Sequence, residues 1–287
     1  MQIGLFATFM SPRATPDFIA DFARRCEDTG VDSLWMGEHV VLFEETENPY
    51  PGSRDGKLPV PQGGGLLDVV ATFGFMASIT QRLRFGTGIA LISQRNPVYT
   101  AAEFATLDWL TRGRIDFGIG VGWCKEEVLA CGYSWHDRGR RSDEFLELIT
   151  KLWTEEEVSY SGEHFQVERA RMDPKPVQSP HIPIIGGGHS KAALRRAARF
   201  GAGWYGFALP PEQVAEISSE LDEALAEAGR SRDDFELIIT PPSVRSDDVL
   251  AYRDLSVDRL VLHLGSQKEE SVKRRLDEIG EHIQLVG

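Results

Sequence analysis

Two neighbouring side chains, Glu38 and His39, follow directly on the apolar run Ser33-Leu34-Trp35-Met36-Gly37. A carboxyl beside an imidazole can donate, accept or relay a proton near neutral pH. On position alone, the plainer reading is a histidine hydrogen-bonded to backbone at a strand end. Three glycine clusters add candidates. In Leu83-Arg84-Phe85-Gly86-Thr87-Gly88-Ile89-Ala90-Leu91, two glycines interrupt an apolar run, where glycine weakens a strand unless another backbone or a ligand comes close. In Ile115-Asp116-Phe117-Gly118-Ile119-Gly120-Val121-Gly122-Trp123 the spacing is GxGxG with no helix opening at once, which is a poor dinucleotide fingerprint. In the third, Ile182-Pro183-Ile184-Ile185 reads as a strand, Gly186-Gly187-Gly188 as a turn, and His189-Ser190-Lys191-Ala192 as the first turn of a helix. That arrangement aims backbone N–H groups and the positive end of a helix dipole at one point, which suits a phosphate. A tight turn that uses glycine only for geometry is the alternative.

The same stretch imitates a nucleophile elbow, Gly188-His189-Ser190-Lys191-Ala192, with Asp258 and His263 following in hydrolase order. The closing glycine of that motif is replaced by Ala192, and no HGGG-type oxyanion segment precedes it, so a hydrolase is disfavoured. Basic residues cluster locally at Lys125, Arg138, Arg140 and Arg141, and again at Lys191 and Arg195. They could serve a ligand with an anionic tail or simply pair with nearby acids.

These residues need elements to hold them. Strand-like runs fall at about 2–7, 33–37, 83–91, 114–119, 182–185, 202–206, 235–240 and 257–263. Helical faces lie between them. Phe18, Ile19, Phe22, Ala23 and Cys26 form one, introduced by Thr15-Pro16 and stopped at Gly30; Leu66, Leu67, Val70, Phe73 and Ala77 form the next. Ala193, Leu194, Ala197 and Ala198 end at Gly201, and Val214, Ile217, Leu221 and Leu225 end at Gly229. Eight alternations, with strands too continuously apolar to be half exposed, predict a closed (β/α)8 TIM barrel formed by residues 1–287 as a single domain. Long insertions at about 40–65 and 121–140 would lie in βα loops at the C-terminal face, where barrel active sites are built. A third long connection, 154–181, contains a hairpin around Ser161-Gly162.

Composition removes several function classes. Lys and Arg number 31 against 44 Asp and Glu, a net charge of −13, and that field repels nucleic acid and anionic lipid. Three cysteines, with no CxxC pair, suit a reduced cytoplasm rather than a disulfide framework or a zinc ribbon. No basic leader and no apolar run of membrane-spanning length is present, so neither a membrane nor a nucleic acid is an expected partner. No metal site is expected either. The expected partner is a small-molecule substrate, and a homodimer is compatible with this reading.

The segments from Gly120-Val121-Gly122-Trp123 through Asp137-Arg138-Gly139-Arg140-Arg141-Ser142-Asp143-Glu144, then Asp173-Pro174-Lys175-Pro176-Val177-Gln178, to Gly186-Gly187-Gly188-His189-Ser190 and Ala192-Ala193-Leu194-Arg195-Arg196-Ala197-Ala198 carry a resemblance over nearly the whole chain. Together they resemble the luciferase-like monooxygenase superfamily, in its branch that uses the deazaflavin coenzyme F420. The resemblance implies a (β/α)8 barrel that transfers a hydride between coenzyme F420 and a small organic substrate. It places Glu38 and His39 against the deazaflavin, with His39, aided by Glu38, handling the proton. Together with the glycine readings above it gives expected cofactor contacts at Thr87, Gly88, Ile89, Gly122 and Trp123 and, for the phosphate at the strand–glycine–helix junction, at Gly186, Gly187, Gly188, His189 and Ser190, and it implies a non-prolyl cis peptide between Gly88 and Ile89. Where a sugar-phosphate dehydrogenase of the superfamily has a tryptophan and an active-site glutamate, this chain has Phe43 and Trp123, which argues against a sugar-phosphate substrate. An FMN-dependent monooxygenase is the alternative on the same fold, and a cofactor-binding protein without turnover is the third reading.

Overall fold

A computed structural model describes residues 1–51, 53, 55–61, 63–242 and 246–287. Residues 52, 54 and 62, within the long 40–65 connection, and residues 243–245 lie outside the described residues. The chain alternates strand and helix: β1 Gln2–Phe6, α1 Pro16–Thr29, β2 Ser33–Met36, α2 Val69–Ala77, β3 Arg84–Thr87, β4 Ala90–Leu91, α3 Pro97–Thr111, β5 Ile115–Gly120, α4 Lys125–Ala130 and α5 Arg138–Thr154. After these come β6 Val158–Ser161, β7 Gln166–Ala170, β8 Ile184–Gly187, α6 Lys191–Phe200, β9 Gly203–Phe207, α7 Pro211–Glu227, β10 Glu236–Thr240, α8 Ser246–Asp254, β11 Arg259–His263 and α9 Glu269–Val286. Strands pair in parallel in the order β3-β2-β1-β11-β10-β9-β8-β5, and β3 pairs with β5 to close the ring. The expected eight-stranded barrel is therefore present.

Local chemistry sets the helix boundaries as expected at α1. Thr15 Oγ1 accepts from Phe18 N at the start, and Gly30 ends the helix with φ 90°, a conformation that favours glycine. Helix α2 corrects the reading. Asp68 caps it through Ala71 N, which leaves Leu66 and Leu67 outside, and Leu66 instead bridges Met10. The 161–162 hairpin is the antiparallel β6–β7 pair. Among the described residues, no helix is long and apolar enough to cross a membrane.

Two corrections concern the strands nearest the site. The single expected third strand is split into β3 and β4, with the cis Gly88–Ile89 peptide, as the resemblance implies, between them. The strand expected at 182–185 runs instead over Ile184–Gly187, so Gly186 and Gly187 are strand residues and only Gly188 turns, with φ 98°. Ser190 is the N-cap of α6, accepting from Ala193 N, and His189 precedes the cap rather than opening the helix.

The barrel interior is layered from floor to mouth. At the strand beginnings Arg84, Asp116, Arg259 and Glu236 bond one another: Asp116 lies 2.5 Å from Arg84 Nη2 and 2.9 Å from Arg259 Nη1, and Glu236 lies 2.9 Å from Arg259 Nη2. Burial works to raise the Asp116 carboxyl, but Arg259 and Arg84 overcome it and hold it below the ordinary range. Glu236 goes the other way: burial, helped by neighbouring carboxylates and opposed by Arg259, pushes it up to about 7. Above this floor Trp35 and Tyr205 stack with centroids 5.1 Å apart, and the Tyr205 hydroxyl bonds Thr240 Oγ1 at 2.6 Å. Gly86 makes room for this layer, since a Cβ there would lie 2.5 Å from the Trp35 ring. Ile185, Ile238 and Val261 complete the plug, and a separate, larger core fills the space between strands and helices.

The raised Glu236 pKa has a sign for stability. Between the ordinary glutamate value and about 7 the folded state holds a proton that the unfolded chain releases, so this group's contribution falls as pH rises through that window. Melting curves at pH 5.5 and 8 are expected to show Glu236→Gln losing less stability across the interval than the wild type.

Candidate active site

The C-terminal mouth holds a cavity of about 780 Å³, within the size range of small-molecule sites. Its walls come from the ends of β1, β2, the broken third strand, β5, β8 and β9, and from the long connections after β2 and β5. Of the residues implicated by sequence, Glu38, His39, Gly88, Ile89, Gly122, Trp123, Gly187, Gly188, His189 and Ser190 all border it. Thr87 and Gly186 do not. Thr87 is fully buried with its hydroxyl donating to Gly118 O at 2.6 Å, and Gly186 lies under α6, where a Cβ would come 2.4 Å from Ala197 Cβ.

Several glycines are explained by one side chain. Ile89 projects from the break across β5 and β8: a Cβ on Gly120 would lie 1.8 Å from Ile89 Cδ1, and one on Gly187 would lie 2.9 Å from Ile89 Cγ2. Gly118 is equally constrained, with Thr87 O at 1.8 Å from its would-be Cβ. Gly187 thus clears space for Ile89, and its substitution would not be a clean probe of a phosphate.

Glu38 and His39 have separate occupations. Glu38, 5% exposed, accepts from Leu91 N at 2.7 Å, while Arg95 grips the carboxylate with Nε 2.9 Å and Nη2 2.5 Å from Oε1. Bidentate guanidinium pairing of this kind fixes geometry as well as charge. This corrects the expectation of a free acid aiding His39: both carboxylate oxygens are committed to joining β2 to the resumed third strand. His39 has a different partner. Its Nδ1 lies 2.8 Å from Oε2 of Glu127, which is fully buried, and Glu127 Oε1 accepts from Val40 N at 2.7 Å. The bond to Glu127 occupies Nδ1 and leaves Nε2 as the nitrogen able to exchange a proton with a ligand.

Glu127 is a site residue that sequence reasoning missed. It sits in α4, within Lys125-Glu126-Glu127, a segment read there only for its lysine. The signal was an acid in the same long connection as Trp123, four positions downstream. Trp123 itself faces His39 edge-on at 5.7 Å between centroids and Tyr50 at 5.4 Å. Its indole N–H is buried and, among the described residues, has no acceptor.

Basic side chains line the cavity where α6 begins. The N-terminus of α6 opens there, beside His136, His189, Arg138 and Arg196. Arg196 pairs with Asp143 at 2.6 Å, whereas Arg138 lies over the Trp135 ring at 3.6 Å and, among the described residues, has no carboxylate within ion-pair distance. Burial lowers the His189 pKa and keeps that ring neutral. The rest of the basic cluster serves structure or solvent: Lys125 pairs with Glu47, Arg140 with Glu163 and Arg141 with Asp137, while Lys191 and Arg195 are exposed. The hydrolase arrangement is not assembled, because Asp258 binds Leu237 N and precedes β11 while His263 ends it, and Ser190 caps α6. One grouping of metal-ligand type among the described residues, Glu144, Glu163 and His164, does not border the cavity, and Glu144 accepts from the backbone N–H groups of the other two.

Fold and site together define a (β/α)8 barrel whose mouth cavity is lined by a histidine–carboxylate pair and by an anion-suited helix end. The sequence profile described as luciferase-like monooxygenase matches residues 1–285, and the chain belongs to that family. An uncharacterised protein of Mycobacterium tuberculosis is 34% identical over 206 residues, 71% of each chain. An F420-dependent glucose-6-phosphate dehydrogenase of Microbacterium testaceum is 30% identical over 230 residues, 78% of this chain and 63% of that enzyme. Among solved structures, an F420-dependent secondary alcohol dehydrogenase with an F420–acetone adduct superposes with a TM-score of 0.81 at 19% identity, covering 100% of this chain and 99% of its own, a likeness of fold.

The Glu38 geometry gives a stability prediction. Removing one member of a buried ion pair costs about 3–5 kcal/mol, so urea unfolding of Glu38→Ala is expected to show a loss of that order.

Proposed function

We propose that this protein is an oxidoreductase that uses coenzyme F420 to exchange a hydride with a small organic substrate. The observation that carries the reading is that one cavity is lined by the Glu127-held His39, by the Gly88–Ile89 wall and by the N-terminus of α6 with Arg138. The residues fit the group: Gly88, Ile89 and Gly187 form a wall with little side-chain relief suited to a planar ring system, and the α6 N-terminus with Arg138 suits a phosphate-bearing tail. When bound, the deazaflavin supplies the hydride chemistry. The chain's own residues position and protect. Ile89, Phe6 and Phe207 exclude water from the reacting end, Glu38 and Arg95 hold the break in place, and Nε2 of His39 takes or gives the proton that accompanies hydride transfer. Glu127 orients the imidazole. The dehydrogenase relative with F420 in its name supports this choice of cofactor, and the family's monooxygenase description keeps FMN as the second reading.

Fluorescence titration of the purified protein with F420 and, separately, with FMN tests the cofactor. Tight F420 binding is expected; FMN binding without F420 binding would replace the proposal with the monooxygenase reading. In the same titration Arg138→Met is expected to weaken F420 about 10-fold or more, the scale of one charged hydrogen bond. His39→Ala is expected to slow turnover at least ~100-fold with cofactor affinity little changed. Normal turnover of that variant at every pH would make His39 only a wall.

A further inference from the structure

We infer that the substrate is an uncharged molecule with an apolar body, an alcohol or its carbonyl partner, and not a phosphate or carboxylate; this rests on the cofactor reading above. The argument is a survey of charge around the end of the cavity occupied by His39. Among the described lining residues the only guanidinium groups are Arg138 and Arg196, and both belong to the α6 end that the reading gives to the cofactor tail. Arg196 is moreover held by Asp143 and Gly139 O. Arg95 approaches from behind but is taken by Glu38 and Glu103. Lys125, near the rim, is taken by Glu47. Arg54 lies outside the described residues, and Lys57 is exposed and does not border the cavity. Even a protonated His39 faces a fully buried carboxylate at 2.8 Å, so its charge is already matched. An anionic substrate entering here would lose its water without gaining a counter-charge from the described residues.

What the His39 end does offer is apolar surface with a few neutral polar atoms. Trp123 and Tyr50 stand there, Leu58 and Leu66 add apolar surface to the same cavity, and burial pushes the Tyr50 phenol up, so that it stays un-ionised. Beyond His39 the chain continues as Val40-Val41-Leu42-Phe43, four consecutive apolar residues that are all exposed where the chain leaves the end of β2. Oxidation of the inferred alcohol breaks its carbinol C–H and O–H bonds and forms C=O. The hydride, with its electron pair, leaves to oxidised deazaflavin as the oxidant, and the hydroxyl proton goes to Nε2 of His39.

The test is calorimetric binding of two matched probes to the F420-loaded protein: cyclohexanecarboxamide, which is neutral, and cyclohexanecarboxylate, which has nearly the same shape. The amide is expected to bind at least about 10-fold tighter. Equal or tighter binding of the carboxylate, or no binding of either probe, overturns the inference while leaving the cofactor reading intact. Failure of the protein to load with F420, measured beforehand by fluorescence, overturns both.

Discussion

Breaking a barrel strand at Gly88 and Ile89 and resuming it at Ala90 leaves the N–H of Leu91 to be satisfied across the gap, and the Glu38 carboxylate satisfies it. Because Arg95 grips the same carboxylate, the end of β2, the resumed strand and the start of the following segment are fixed to one another by a single buried group. His39 is the next residue after Glu38, so its backbone is placed by that tie, and its ring is then oriented by Glu127. The wall and the histidine beside it are parts of one arrangement. A barrel without the break would have no reason to bury a carboxylate at its mouth.

The glycines follow from the same constraint. Ile89 leaves the broken strand and lies across β5 and β8, and side chains at Gly120 or Gly187 would occupy the space it fills. Below it the stacked Trp35 and Tyr205 close the barrel, and below them the Arg84, Asp116, Arg259 and Glu236 cluster joins four strand beginnings. The cavity thus has a packed floor and walls of strand ends and the start of α6, and the long connections after β2 and β5 complete it. Family members sharing this frame can differ in substrate through those connections alone.

Much of this was legible in the sequence, and the exceptions have physical causes. Strand and helix alternation, the cap at Thr15, the stop at Gly30 and the strand-end position of His39 are local patterns, and each is found. Glu127 was not legible, because its contact with His39 spans 88 positions and nothing local distinguishes it from the exposed-looking acids beside it. The role of Glu38 was misread for the same reason, since Arg95 lies 57 positions away. At Gly186 and Gly187 the usual meaning of glycine misled: it normally marks a turn, but here it continues a strand because Ala197 and Ile89 occupy the space a Cβ would need.

The central claim is that one cavity presents His39 to the reacting end of the cofactor and the α6 N-terminus to its tail. A crystal structure of the protein with bound F420 tests this most directly. The account predicts the deazaflavin ring against Gly88 and Ile89, with His39 on the substrate side and the tail phosphate at the Lys191 and Ala192 N–H groups beside Arg138. A ring bound away from Gly88 and Ile89, or a phosphate held by the connection after β2 instead of by α6, would contradict it.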